Sequence, residues 1–254
     1  SGHRGDCDHL AADADDPSPG YEPILGISRR TEHWQGIKDP SRRGVGGPLH
    51  VQSAVSPQPV ARAMVAAAAS MGLPTFESPN GEMMEGRGGA AISDLIVRDG
   101  RRSSIFRSYV WPLIRQPNLT VLSHALVCKL LFSGRSVIGV EVEQESTRRR
   151  FLASREVILS LGAINTPKLL MQSGVGPEDE LRRHGVNVVQ HLPGVGQNHQ
   201  DHVGFTCIFE YREPQPIGNG GSEATLYWKS NPGIDLPDMF CCQLEFPVAS
   251  AEAA

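Results

Sequence analysis

The feature that most constrains this chain is an abrupt change of pattern between residues 157 and 174. The apolar run Val157-Ile158-Leu159 reads as the end of a buried strand, and Gly162 turns the chain. Thr166 and Pro167 then open a helix that Gly174 closes. A strand, glycine turn and helix in this order aim unpaired backbone N–H groups and the positive end of a helix dipole into the crevice beyond the strand. Nucleotides bind there in open α/β sheets. The same glycine and Ala163 would equally serve close packing of helix on strand. Spacing alone leaves both readings open.

Ahead of this junction lie two β-rich runs, Leu119 to Phe132 and Val137 to Val142, joined by the hairpin signal Ser133-Gly134-Arg135-Ser136. A polar turn, Glu145 to Arg150, leads to a third run, Phe151 to Leu161, so the pattern predicts a three-stranded meander with Arg148-Arg149-Arg150 at a solvated tip. Nearer the start, Tyr21 to Trp34 suits one short helix, Gly44, Gly46, Gly47 and Pro48 break the chain, and Leu49 to Ser53 suits a strand. Pro59 to Met71, with proline first, an alanine-rich body and Gly72 just beyond, reads as a helix. Residues 74 to 104 read as loop and Ser104 to Ile114 as a short helix. Residues 1 to 20 carry Asp6, Asp8, Asp13, Asp15 and Asp16 without apolar periodicity, so they either need a partner or stay loose.

Composition narrows the function classes. At 254 residues with 39% hydrophobic content the chain buries a core. A net charge of -4, from 24 basic and 28 acidic residues, gives no footprint for nucleic acid or an anionic membrane surface. No apolar run approaches the ~20 residues that span a bilayer. The cysteines Cys7, Cys128, Cys207, Cys241 and Cys242 are odd in number and form no Cys-x-x-Cys pair, which favours a reducing, cytoplasmic setting and makes Cys241 and Cys242 small buried hydrophobes on a strand. His191, His199, Asp201 and His202 have metal-ligand chemistry, but their spacing fits no familiar metal motif. Asn118-Leu119-Thr120 is a glycosylation sequon that matters only in a secreted protein.

The fifteen residues Gly162-Ala-Ile-Asn-Thr-Pro-Lys-Leu-Leu-Met-Gln-Ser-Gly-Val-Gly176 resemble, position by position, the second signature of the glucose-methanol-choline (GMC) flavoprotein oxidoreductases. Leu192-Pro-Gly-Val-Gly-Gln-Asn-His-Gln-Asp-His202 resembles a second family motif and departs from it at His199, where leucine is usual. Asn118-Leu-Thr-Val with Val127, Gly2-His-Arg-Gly-Asp-Cys-Asp8, Gly47-Pro48-Leu49 and Pro237-Asp238 fall in family-like places.

The resemblance implies a mixed α/β (α+β) fold: an incomplete FAD-binding, Rossmann-like domain with a three-stranded meander, and part of an antiparallel-sheet substrate domain. The implied boundaries are 1–48, associated with the FAD domain; 49–116, helical and loop part of the substrate domain; 117–202, FAD domain; and 203–254, start of the antiparallel substrate domain. Carried over by position, Val127 matches a backbone contact to adenine, and Ser160, Gly162 and Ala163 match the segment beside the adenosine half of FAD. Asn198, Asp201 and His202 match a motif of structural role. Residues near Trp228 and Phe240 are expected to approach the substrate pocket.

The implied cofactor is FAD, and the implied activity is oxidation of the CH–OH group of a small-molecule alcohol, of choline-dehydrogenase or alcohol-dehydrogenase type. No Gly-x-Gly-x-x-Gly fingerprint occurs in the chain. The family places that motif ahead of the point matching Ser1 and its catalytic histidine beyond the point matching Ala254. No catalytic residue is therefore assigned. The isolated chain is expected to be inactive and poorly soluble, with a non-catalytic remnant or interaction protein as the alternative reading. The electron acceptor and oligomeric state stay open.

Overall fold

The computed structural model describes residues 2–213, 215–219 and 221–246. The chain forms two compact units: Ser1–Leu119 with Thr206–Ala254, and Thr120–Phe205. In chain order the helices are α1 (Arg4–Ala14), α2 (Tyr21–Thr31), α3 (Pro59–Ser70), α4 (Gly162–Gln172) and α5 (Glu178–Arg183). The strands are β1 (Glu32–Trp34), β2 (Leu49–Ser53), β3 (Gly89–Ile92), β4 (Asp94–Leu95), β5 (Val97–Arg98), β6 (Arg101–Arg102), β7 (Leu126–Ser133), β8 (Ser136–Gln144), β9 (Thr147–Leu152), β10 (Val175–Gly176), β11 (Gln190–His191), β12 (Ala224–Trp228) and β13 (Met239–Cys242).

The first unit is built around two three-stranded sheets, ordered β1-β2-β4 and β13-β12-β3. β1 and β2 run parallel, while β12 pairs antiparallel with both β13 and β3. Helix α3 packs on β3 and β12. Ala61 and Ala68 are buried on its inner side and Ala90 and Ala91 on β3, so small side chains let helix and sheet approach closely. Met83, Met84 and Ala91 form the core, with Phe76 and Tyr227 packed against them.

Two sequence expectations for this unit need correction. Residues 4–14 fold as α1 although none of them is buried. Polar ties hold the helix: the His3 side chain caps it, Asp8 Oδ1 accepts from the Tyr21 N–H at 3.0 Å, and Arg4 pairs with Glu22 while lying 4.2 Å from the Tyr21 ring centroid. Residues 74–104 are not all loop, because β3 to β6 lie there. Their glycines and charges hid strands only two to four residues long. The short helix expected at 104–114 is present, as a π-helical segment over Phe106–Val110 followed by a 3-10 segment over Trp111–Leu113.

The second unit carries the meander β7-β8-β9. A two-residue turn opened by Gly134 at φ +60° joins β7 to β8. Glu145 and Ser146, both at positive φ, join β8 to β9, the geometry that matches the twist of a tight hairpin. The third strand is therefore Thr147–Leu152, and the arginines expected at its tip lie within it. Arg148 faces Glu143 and Arg150 faces Glu141 across the ladder, with Nε–Oε2 distances of 3.2 Å in each pair. The run Val157-Ile158-Leu159, expected as a buried strand, pairs with no strand among the described residues, and Ile158 is 77% exposed. Beyond α4, the parallel pair β10-β11 brackets α5.

Candidate cofactor site

Leu161 ends the extended segment and Gly162 reverses the chain at φ +86°. A Cβ at this position would meet open space, so glycine answers to backbone conformation here and not to crowding. Helix α4 starts at Gly162, five residues before the expected start at Pro167, which lies inside the helix. Thr166 contributes to the start from within: its Oγ1 accepts from the Leu161 N–H at 3.1 Å. No side chain caps the first turn, so N–H groups of the turn face outward at the positive end of the helix.

The far end of α4 is anchored by Ser173, which is 2% exposed. Its Oγ donates to the Leu169 carbonyl at 2.7 Å and accepts from the Leu130 N–H on β7 at 2.9 Å. This bridge seats the helix on the meander and fixes where its open start lies.

Beside α4 lies an open cavity of about 630 Å³. Ile164, Pro167 and Met171 of α4, spaced three and four apart, form one wall with Leu181 of α5, and the loop Gly196 to Gln200 forms another. Among the residues assigned from sequence, Ala163 lines this cavity, and Ser160 and Gly162 are exposed at the same junction. Val127 does not line the cavity; it is half-buried on β7, the strand against which α4 packs, and pairs with Val142 on β8.

Lys168 and His184 also line the cavity and were not anticipated, although the helical spacing from Ile164 would have placed Lys168 on this face. His184 is held by Glu180 at 3.0 Å. Asn198 adopts φ +55°, a conformation asparagine tolerates, and His199 lies beside it on the rim.

The remaining singled-out residues fall elsewhere. His191 Nδ1 accepts from the Glu178 N–H at 3.1 Å, and Asp201 Oδ1 accepts from the His202 N–H at 2.8 Å. Among the described residues no group of three or more His, Cys, Asp or Glu side chains is placed to hold a metal ion. All five cysteines are free thiols, and Cys241 is exposed on β13, not buried as expected, with Cys242 half-buried beside it. Among the described residues no helix is long and apolar enough to cross a membrane. In the first unit, Phe240 lines a smaller cavity of about 310 Å³ that Trp228 does not line.

The site is thus an open glycine-led helix start packed beside a three-stranded meander in a mixed α/β chain. The chain belongs to the GMC oxidoreductase family, whose pattern residues 3–204 match. It is 45% identical over 161 residues to mitochondrial choline dehydrogenase of Mus musculus, covering 63% of this chain and 26% of that protein. It is 34% identical over 234 residues to oxygen-dependent choline dehydrogenase of Brucella canis, covering 92% and 41%. The fold superposes on pyridoxine 4-oxidase from Mesorbium loti with a TM-score of 0.87 at 28% identity, covering 99% of this chain and 51% of that one. The chain thus spans about half or less of the length of these relatives.

Proposed function

We propose that the protein is an FAD-dependent oxidoreductase acting on the CH–OH group of a small alcohol, with choline, the compound that names its relatives, as the first candidate. The observation that carries this reading is the uncapped start of α4 at Gly162 within the family match. Its residues fit the cofactor: the helix start is exposed, its first N–H groups carry no side-chain cap, and an open cavity adjoins it. Backbone at Ser160, Gly162 and Ala163 would hold the adenosine half, with Val127 contributing main-chain contact from β7. FAD, when bound, accepts the hydride that leaves the alcohol carbon. The chain's own part is to orient the cofactor through a rigid helix start, which Ser173 anchors from the other end.

The test uses the full-length gene product. It is expected to purify with flavin absorbance that choline or a related alcohol bleaches under anaerobic conditions. Retained flavin that none of a panel of alcohols reduces would overturn the reading.

A further inference from the structure

The cavity of about 310 Å³ in the first unit is bounded by Pro79 and Asn80, β4 and the facing strands β12 and β13. Its lining is mixed: Met84, Leu95, Tyr227 and Phe240 give an apolar and aromatic side, and Asn80, Ser93, Asp94 and Thr225 a polar one. Met84 is 5% exposed, and the rings of Tyr227 and Phe240 stand 4.9 Å apart between centroids. Asp94 also lines it, with a side chain only 3% exposed. Asp94 Oδ2 is fully engaged, accepting from Ser78 Oγ at 2.6 Å, Asn80 Nδ2 at 2.9 Å and Arg43 Nη1 at 3.0 Å. Oδ1 is buried and has no hydrogen-bond partner among the described residues.

An orphaned carboxylate oxygen is rare in a folded interior, because burial strips its water without replacing it. The local charge is also unbalanced. Arg43 is shared with Glu32, through Nε–Oε1 at 3.0 Å and Nη2–Oε2 at 3.1 Å, so one guanidinium faces two carboxylates. What is missing is one hydrogen-bond donor and one positive charge beside two aromatic rings, and a single group supplies both.

We propose that this cavity binds a small protonated amine, whose N–H satisfies Asp94 Oδ1 and whose carbon body lies against Met84, Tyr227 and Phe240. Resting on the alcohol chemistry proposed above, this makes the favoured substrate class an amino alcohol that keeps an N–H. A quaternary ammonium brings the charge without the donor, and a neutral alcohol brings neither at this end of the ligand.

Calorimetric binding to the full-length protein tests the proposal with three alcohols of nearly equal shape: 2-(dimethylamino)ethanol, choline and 3,3-dimethylbutan-1-ol. The protonated amine is expected to bind about tenfold more tightly than the neutral alcohol and measurably more tightly than choline. Asp94→Asn is expected to bring all three within about twofold of one another. Phe240→Ala, at a half-exposed ring, is expected to weaken all three together and to keep their order. Equal binding of amine and neutral alcohol by the unaltered protein overturns the site, whether or not Asp94→Asn folds. Choline binding as tightly as the amine overturns the N–H donor. Binding is read without turnover, so amine binding without oxidation would sink the alcohol-oxidation reading and leave the site standing.

Discussion

The guanidinium of Arg43 lies 3.7 Å from the centroid of the Trp34 ring while its two edges bind Glu32 and Asp94. One side chain, 5% exposed, therefore ties β1, β4 and the turn at Ser78 and Asn80 together. A planar fork can stack and form parallel hydrogen bonds at once, which an ammonium cannot. Arg43→Lys is expected to lower stability by about 2–3 kcal/mol and Arg43→Met by about 3–5 kcal/mol, because the latter leaves the buried Asp94 and the half-buried Glu32 without their cation. Urea midpoints of the three proteins check this. No loss for lysine would show that the fork geometry is idle, and equal losses for lysine and methionine would show that the charge is.

Ser173 offers a narrower test of how α4 is seated. Ser173→Ala deletes one oxygen and leaves the Leu130 N–H buried without an acceptor, so a loss of about 1–3 kcal/mol is expected. Amide exchange localises the effect: the Leu130 amide should lose protection while neighbouring β7 amides keep theirs. Unchanged protection at Leu130 would show that the bridge does not form.

Much of this architecture was legible in residue order. Strand β2 lies where the pattern of Leu49 to Ser53 puts it, and α3 ends one residue short of Met71, because proline, alanine and glycine act locally. The misses share a cause: pairing and docking were decided by partners on other elements, across a turn or farther along the chain. Arg148 and Arg150 look like tip residues until Glu143 and Glu141 are seen opposite them. α1 has no apolar stripe, and its ties run to Tyr21, Glu22 and Gly86. At the candidate site, Gly162 and Ala163 were legible from their motif. The wall formed by Leu181 and the 196–200 loop depends on tertiary packing that no local pattern encodes. Glu223 was invisible for the same reason: it is fully buried, and its Oε2 accepts from Gln58 N–H at the start of α3, 165 residues away.

Gly162 allows backbone strain to be separated from cofactor contact. Its φ of +86° and the open space at its Cβ mean that Gly162→Ala adds conformational strain without a clash, about 1–2 kcal/mol. Gly134, at φ +60° with the same open space but in the β7–β8 turn, supplies the matched control. Both alanine variants should lose similar stability, and only Gly162→Ala should lower the flavin content of the purified full-length protein. Equal flavin loss in both would place the cofactor's hold elsewhere.

Asp94 makes stability depend on acidity in a direction that can be worked out. Burial pushes its carboxyl above the usual range, and the hydrogen bonds from Ser78 and Asn80 and the charge of Arg43 only partly oppose this. The folded state therefore holds the Asp94 proton more tightly than the unfolded chain does. Between the unfolded pKa of about 3.9 and the raised folded value, the folded protein carries more protons, so this group's contribution is fully present below that window and is lost as pH rises through it. Asparagine at this position does not titrate. Relative to the unaltered protein, Asp94→Asn should thus gain in urea midpoint as pH is raised from about 4 toward neutrality, even if it is less stable overall after losing the Arg43 ion pair. A difference that instead moves against Asp94→Asn with rising pH would mean that Arg43 outweighs burial and holds the carboxyl below its ordinary value.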